Sequence, residues 1–389
     1  MKGELKQIGE DKFFIRIFLG RDAKGKRSWH SETFNGKKRM AENRRSELVS
    51  LHGQGELVKR QRISFIDYLE SLLSGPVKET IARRTYSDYQ SMVARYVRPH
   101  KVACIKLTDL SPDHLESLYK DMRARNLSAS TVRYLHNILK RALKQAERRG
   151  KVHRNVASLV ELPKQKRRKI PRSLDFDQAS KFLTEASCDR FFALWILALD
   201  SGARPEEYLA LEWSDVDFAA RTLRINKALC WNRKGGGYYF DDTKTEASNR
   251  TVEIAPTTIE ALKEHKRVQA ESRMRAGKTW AKVTHDSRQL DLVFTTHMGT
   301  PLLLSNLHRR SFKPILRRAG LPLSFRIYDL RHTCATLLGA MNVRAKLIQE
   351  RLGHSSIKTT LDLYSHVLQS ERHVASGAFE ETVFARLKV

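Results

Sequence analysis

The chain lacks the sequence features of membrane-spanning, secreted and metal-binding proteins. No apolar run approaches the roughly 18 to 20 residues needed to span a bilayer, and the polar N-terminus has no signal-peptide h-region. The cysteines form no C-x-x-C pair, so neither a disulfide framework nor a zinc site is predicted. No carboxylate cluster suggests a catalytic metal. We expect no cofactor, no membrane partner and a reducing, cytoplasmic location.

Acidic residues are also scarce relative to basic ones. There are 72 Lys and Arg against 43 Asp and Glu, which gives a formal net charge of +29 and a pI near 10.1. This excess indicates a polyanionic partner, and double-stranded nucleic acid fits better than an acidic membrane surface. An apolar content of 41% supports packed cores. The length of 389 residues predicts two or three domains. The alternative is a basic protein that merely has a solvated face.

Residues 1–55 are predicted to form a small sheet with one helix. Phe13–Leu19 is β-prone, Lys26–Phe34 alternates like a return strand, and Lys37–Leu51 has the pattern of a basic helix. Exposed basic strand residues can enter a DNA groove, as those of β-sheet readers do. A charged hairpin that is only a solvated edge is the alternative. The candidate DNA contacts here are Arg16 and Arg27.

Residues 62–160 show helical periodicity and predict a small helical bundle. The clearest helix starts near Ser128 or Ser130, and its apolar residues recur at spacings of three and four. Basic residues lie between them, which predicts one core face and one phosphate-seeking face. The candidate DNA contacts on this face are Arg133, Lys140 and Lys144.

Residues 161–172 are predicted to be an extended basic linker. Pro163 and Pro171 disfavour a helix, and six basic residues accompany them. Arg167 and Arg168 are the candidates to cross a DNA backbone, which would make binding strongly salt-dependent. An ordinary solvated linker is the alternative.

Residues 173–389 are predicted to form a mixed α+β, mostly helical domain with a C-terminal tail. Phe191–Leu199 is almost wholly apolar and predicts a buried helix that ends before Arg204. Thr222–Ile225 and Arg250–Ile254 have strand patterns, and together with Tyr238–Phe240 they predict a three-stranded antiparallel sheet. The predicted fold class is therefore multidomain and mainly α, with small β parts.

Five short motifs in this last domain resemble the catalytic motifs of tyrosine recombinases of the phage integrase family. The resemblance extends along the chain, with residues 1–55 similar to an arm-binding domain and 62–160 similar to a core-binding domain. The motifs are Ser201-Gly202-Ala203-Arg204, Thr243-Lys244-Thr245, Asp329-Leu330-Arg331-His332-Thr333, Leu352-Gly353-His354-Ser355 and Leu363-Tyr364-Ser365-His366.

The resemblance implies a role for each matching residue. Cleavage of DNA by a phenol needs donors for the charged phosphoryl oxygens, and arginine offers a planar fork that stays charged. A lysine can give a proton to the leaving oxygen. The implied roles are phosphate binding for Arg204 and Arg331, proton donation for Lys244, phosphate contact and proton relay for His354, nucleophilic attack for Tyr364, and bracing for Glu207.

Tyr328 departs from the family pattern. Family members most often have histidine three residues before the second arginine, whereas this chain has Tyr328-Asp329-Leu330-Arg331. A phenol donates or accepts a hydrogen bond but is not a cation near neutral pH. Tyr328 is therefore expected to position a phosphate oxygen or Tyr364 while contributing little base catalysis. Attack by Tyr328 itself is the alternative.

The resemblance also implies partners and a cellular setting. It implies an integrase of a phage or integrative element that acts as a homotetramer on core and arm DNA sites in the bacterial nucleoid. A 3′-phosphotyrosine and a Holliday junction would be its intermediates, and an accessory DNA-bending or excision factor is an expected partner. The segment after His366 has two possible docking places, a neighbouring protomer or its own domain. The rival functions are a type IB topoisomerase and a non-enzymatic DNA-binding protein.

Overall fold

The chain folds into two compact units, Met1–Arg168 and Lys169–Val389. The structure is a computed structural model that describes residues 3–21, 25, 27–53, 63–163, 172–231, 236–242 and 249–361. It is mainly helical with small antiparallel sheets, which confirms the predicted fold class. The functional division into arm-binding, core-binding, linker and catalytic segments stays a prediction. Within the described ranges, no helix is both long and apolar enough to cross a membrane.

The first unit begins with a three-stranded antiparallel sheet covered by one helix. Alternation along the middle strand turns Ile15 and Ile17 inward, where they form a small core with Leu48 of the helix. The strands lie in the order β1-β2-β3. The elements are β1 (Glu4–Gly9), β2 (Lys12–Arg21), β3 (Arg27–Asn35) and α1 (Lys38–Gly53).

The rest of the first unit is a helical bundle with its own apolar core. Ser64 and Ser128 each cap a helix, because their side chains accept backbone N–H groups of the first turn. A π turn, Leu73–Val77, follows the first of these helices, and its non-helical backbone at Gly75 separates that helix from the next by a kink. The helices are α2 (Phe65–Leu72), α3 (Lys78–Thr80), α4 (Arg83–Met92), α5 (Pro112–Ala124) and α6 (Ala129–Arg148).

The second unit packs helices and short strands around one large core, in which Trp195 is fully buried. Its indole Nε1 donates to the Ser311 hydroxyl at 3.0 Å, so burial leaves its polar group satisfied. The helices are α7 (Phe176–Ala186), α8 (Phe192–Ser201), α9 (Pro205–Tyr208), α10 (Pro256–Ala276), α11 (Leu304–Leu307), α12 (Lys313–Arg318), α13 (Asp329–Ala340) and α14 (Ala345–Leu352). The strands are β4 (Val216–Asp217), β5 (Thr222–Ile225), β6 (Lys227–Trp231), β7 (Tyr238–Asp242), β8 (Arg250–Glu253), β9 (Val283–His285) and β10 (Arg288–Leu290).

The predicted three-stranded sheet is present, but its third strand differs from the prediction. The order is β4-β5-β8, whereas β7 pairs with β6 in a separate hairpin. Trp231 of β6 packs edge to face on Tyr238 of β7, with ring centroids 5.7 Å apart, and this cross-strand contact favours the hairpin. In the three-stranded sheet the last residue of β5, Ile225, pairs with the first residue of β8, Arg250.

Candidate active site

The candidate site begins where α8 ends, at Gly202. This residue has a φ of +62°, and a Cβ at its position would lie 2.5 Å from Cδ2 of Leu352. Both facts require glycine, because other residues would be strained and would clash. The tight turn brings the end of α8 against the end of α14 and leads directly to Arg204.

Arg331 of α13 holds these two helix ends together. Its Nη1 donates to the Gly202 carbonyl at 2.8 Å, and its Nη2 donates to the Leu352 carbonyl at 2.6 Å. Carbonyls at helix C-termini carry partial negative charge, so they stabilise a guanidinium that is only 1% exposed. Burial and the charge of Arg204 lower the pKa of Arg331 to about 10. Arg331 therefore stays protonated at neutral pH.

Arg204 and Glu207 form a doubly bonded pair at the start of α9. Glu207 accepts the Arg204 backbone N–H at 2.8 Å and its guanidinium at 2.6 Å. Burial opposes ionisation of Glu207, but Arg250 and Arg204 outweigh it and hold the pKa of Glu207 below its ordinary value. The carboxylate therefore fixes the position of the Arg204 guanidinium.

Arg250 completes the group, although the sequence did not mark it as a site residue. Its Nη2 donates to Glu207 Oε2 at 2.9 Å, and its Nε donates to the Arg351 carbonyl at 2.8 Å. An arginine at the start of a strand is usually solvated. The available signal was its alternation with Val252 and Ile254, which are buried. Arg204, Arg250 and Arg331 are called the arginine cluster below.

His354 lies beside the arginine cluster, just past the end of α14. Its Nδ1 is 2.8 Å from the Thr360 hydroxyl, and both residues are buried. Burial first, and then the positive charges of the arginine cluster and His332, lower the pKa of His354 to about 3. The imidazole is therefore neutral at physiological pH and has one ring N–H to donate.

Tyr328 stands at the open side of the cluster. It is 39% exposed and immediately precedes α13. Its ring packs edge to face on His332, with centroids 5.3 Å apart. Burial lowers the pKa of Arg204, but the charge of Glu207 and, after it, the nearby Tyr328 outweigh burial and raise that pKa. The phenol thus lies near a cluster arginine and is open to solvent.

The structure brings together five of the residues predicted for the active site, and two others lie outside the described residues. The five are Arg204, Glu207, Tyr328, Arg331 and His354. Lys244 and Tyr364 lie outside the described residues, as do Arg167 and Arg168. In the chain, Lys244 falls between β7 and β8, and Tyr364 follows Thr360 by four residues.

The candidate DNA contacts of the first unit lie at or near its surface. The guanidinium of Arg16 stacks 4.1 Å above the Trp29 ring on the outer face of the sheet, and Arg27 is exposed. Lys140 and Lys144 are exposed on α6. Arg133 is half-buried and donates to the Pro163 carbonyl at 2.8 Å, so one of its donors is already used.

The arrangement is suited to binding a phosphate-like anion. Three guanidinium groups and one carboxylate give a formal charge of +2, and His354 adds a neutral donor. Nε of Arg331 is buried and has no hydrogen-bond partner among the described residues. In the same part of the chain, no group of three or more His, Cys, Asp or Glu residues is placed to hold a metal.

The chain is similar in sequence to known proteins over most of its length. The profile of the phage integrase family matches residues 172–371. A XerC-like tyrosine recombinase of Caldanaerobacter subterraneus subsp. tengcongensis is 28% identical over 94% of both chains. An integrase of Streptomyces ambofaciens is 29% identical over 93% of this chain and 92% of its own.

Solved structures show the same fold. The Tn1549 transposon integrase, in complex with transposon right end DNA, matches with a TM-score of 0.68 at 18% identity, covering 80% of this chain and all of that one. A lambda integrase dimer bound to a COC′ core site matches with a TM-score of 0.54 at 15% identity, over 92% of this chain and 94% of its own. The family match and the two relatives, which align over more than 90% of this chain, define the class as DNA strand-transfer enzymes. The chain belongs to the phage integrase family and is a tyrosine site-specific recombinase.

Proposed function

We propose that this recombinase integrates or excises a mobile element by cleaving and rejoining DNA through a 3′-phosphotyrosine intermediate. The arginine cluster, next to a neutral His354, carries the proposal. A scissile phosphodiester has one negative charge, and its transition state spreads further charge over the non-bridging oxygens. A site of formal charge +2 stabilises that state more than the ground state.

In the proposed cleavage step, the phenolic oxygen of Tyr364 attacks the phosphorus atom. The new bond joins this oxygen to phosphorus while the bond from phosphorus to the 5′-oxygen breaks. Lys244 gives the 5′-oxygen a proton, so a free 5′-hydroxyl leaves. Burial, and after it the arginine cluster, hold the pKa of His354 down. A bound phosphodiester offsets the second of these causes, and the phenolic proton passes to His354.

Rejoining reverses the same step with a different hydroxyl. The 5′-hydroxyl of a partner duplex attacks the phosphotyrosine, which forms and then resolves a Holliday junction. The covalent bond conserves the energy of the phosphodiester, so this chemistry calls for neither ATP nor a metal. Two duplexes with one active tyrosine per cleaved strand imply a homotetramer.

The remaining parts of the chain are proposed to hold DNA. Residues 62–160 would bind the core site through the exposed lysines of α6, and residues 1–55 would bind arm sites through Arg16 and Arg27. Phosphate contacts of this kind position the enzyme and make its affinity fall with salt. The proposed location is the cytoplasm of a bacterial host, on the nucleoid, with an accessory DNA-bending or excision factor as a further partner.

A nicked half-site tests the covalent step. The purified protein is incubated with a labelled half-site whose short 5′-hydroxyl fragment diffuses away, and products are separated on a denaturing gel. A slowly migrating protein–DNA adduct that disappears with Tyr364→Phe is expected. Absence of any adduct with the wild-type protein would contradict the proposal and leave a DNA-binding protein.

A plasmid carrying two recognition sites tests strand exchange. Recombination between the sites is expected to produce junctions that match those of the element. Relaxation of supercoils without any recombinant product would instead indicate a type IB topoisomerase. The Tyr364→Phe protein is the control, because it should bind both sites and exchange neither.

A further inference from the structure

Arg250 links three parts of the candidate site through two hydrogen bonds. Its Nη2 holds Oε2 of Glu207 at 2.9 Å, and its Nε holds the carbonyl of Arg351 at 2.8 Å. The side chains of Arg250 and Glu207 are 7% and 3% exposed, so this ion pair is shielded from water. A buried pair with this geometry fixes the positions of both groups.

The first hydrogen bond acts on Arg204. Glu207 shares its two oxygens between Arg204 and Arg250: Oε1 accepts the Arg204 guanidinium, and Oε2 accepts both the Arg204 N–H and Arg250. Without Arg250, the carboxylate loses one of its two charged partners and becomes freer to rotate. The orientation of the Arg204 fork depends on this carboxylate.

The second hydrogen bond acts on the loop that carries His354. The Arg351 carbonyl lies three residues before His354, in the last turn of α14. The Arg351 side chain is itself fixed, because its Nη2 donates to Asp200 Oδ1 at 2.7 Å. Arg250 therefore ties the start of β8 to a segment that is already anchored to α8.

Arg250 lies close in the chain to Lys244, the proposed proton donor. Arg250 is the first residue of β8, and Lys244 lies six residues earlier. We infer that Arg250 is a positioning residue that orients Arg204 and joins the strand following Lys244 to the His354 loop. The inference rests on the proposed DNA cleavage and adds a residue to it. Because the contacts of Arg250 to described residues are made to Glu207 and to the Arg351 carbonyl, we expect it to affect the rate of cleavage more than DNA affinity.

Arg250→Met tests the inference, with Arg224→Met as the matched control. Arg224 lies on the neighbouring strand β5, pairs opposite Thr251, and also bonds a buried carboxylate, Asp215, at 3.1 Å. Adduct formation on the nicked half-site is followed in single turnover, and half-site affinity is measured separately. We expect Arg250→Met to slow adduct formation about tenfold to a hundredfold, as small misplacements do. Its affinity should stay within about threefold, and Arg224→Met should match the wild type.

A double mutant distinguishes positioning from simple stabilisation. If Arg250 acts largely through Glu207, adding Glu207→Gln to Arg250→Met causes little further loss of rate. If the fold-decreases in rate of the two single variants multiply in the double variant, the inference is overturned. It is also overturned if Arg250→Met cleaves at the wild-type rate at temperatures well below its melting temperature, because the rate loss would then come from unfolding. Should Arg250→Met fail to fold, Arg250→Lys keeps the charge but cannot bridge both acceptors, and a wild-type rate from it would also overturn the inference.

The same assay separates this inference from the proposed function. An adduct formed by the wild type and lost with Tyr364→Phe supports the function regardless of Arg250. With that adduct present, a wild-type rate for Arg250→Met rejects only the positioning role. No adduct with the wild-type protein rejects both.

Discussion

The hydroxyl of Thr360 lies 2.8 Å from Nδ1 of His354 in a buried contact. This hydrogen bond fixes the orientation and the tautomer of the imidazole, and so decides whether the other ring nitrogen, Nε2, carries a proton or a lone pair. It also places the start of the segment that leads to Tyr364 against the site. Thr360 thus connects His354, the proposed proton relay, with the segment that leads to the proposed nucleophile.

Thr360→Val is expected to slow adduct formation about tenfold, because it leaves Nδ1 of His354 buried without its partner. Valine has nearly the same shape, so packing changes little. Thr360→Ser keeps the hydroxyl and should retain most of the rate. The measurement is single-turnover cleavage of the nicked half-site. Equal rates for the valine and serine proteins would show that this hydrogen bond does not orient His354.

His354 is also expected to make stability depend on pH. Its pKa of about 3 in the folded chain lies below the ordinary value of 6.5, so the unfolded chain binds more protons between these values. Stability should therefore fall as pH drops below about 6.5, by roughly 1 kcal/mol per pH unit. In His354→Gln this contribution is absent. Thermal unfolding at pH 5 and 7.5 should show a smaller decrease for His354→Gln than for the wild type, and identical decreases would contradict the assignment.

Tyr328→His is expected to fold and to cleave the half-site, because this position holds histidine in most of the family. Tyr328→Phe should slow cleavage by about tenfold or less, since it removes one hydroxyl near Arg204 but no charge. Rates and DNA affinity should be measured for both proteins. Complete loss of cleavage by a well-folded Tyr328→His protein would show that the phenol has a role that imidazole cannot fill.

Gly202→Ala is expected to destabilise the second unit by about 2 to 4 kcal/mol. The new Cβ would lie 2.5 Å from Cδ2 of Leu352, and the alanine would have to adopt a positive φ. Overpacking therefore adds to backbone strain. Gly320→Ala is the matched control. Gly320 has a φ of +64° but nothing lies within 4 Å of its added Cβ, so only about 1 kcal/mol should be lost. Thermal unfolding measures both, and equal losses would show that close packing at Gly202 is not needed.

The sequence predicted the parts of this fold whose signals are local. The helix start at Ser128 and the buried helix before Arg204 follow from a capping residue and from an apolar run. Arg204, Arg331 and His354 were chosen through short motifs, and the structure brings them together. Their catalytic roles remain predictions.

The parts that escaped prediction depend on contacts between distant segments. Arg250 becomes a site residue only because α14 ends beside β8, and no local pattern reports that contact. The sequence places Tyr238 in the three-stranded sheet, but it pairs with Trp231 of β6 instead, and the two rings pack edge to face. Arg133 has the helical position of a phosphate contact, yet it donates to the Pro163 carbonyl thirty residues away.

The burial of Arg331 between two helix ends has a thermodynamic consequence for the whole second unit. Arg331, which is proposed to bind the phosphate, also links the ends of α8 and α14 by hydrogen bonds. The same side chain therefore contributes to ligand binding and to folding. An anion seated there binds the folded chain and not the unfolded one, and it relieves the repulsion within the arginine cluster. DNA bound at this site should therefore raise the free energy of unfolding of the second unit, and the size of that increase measures the affinity for DNA.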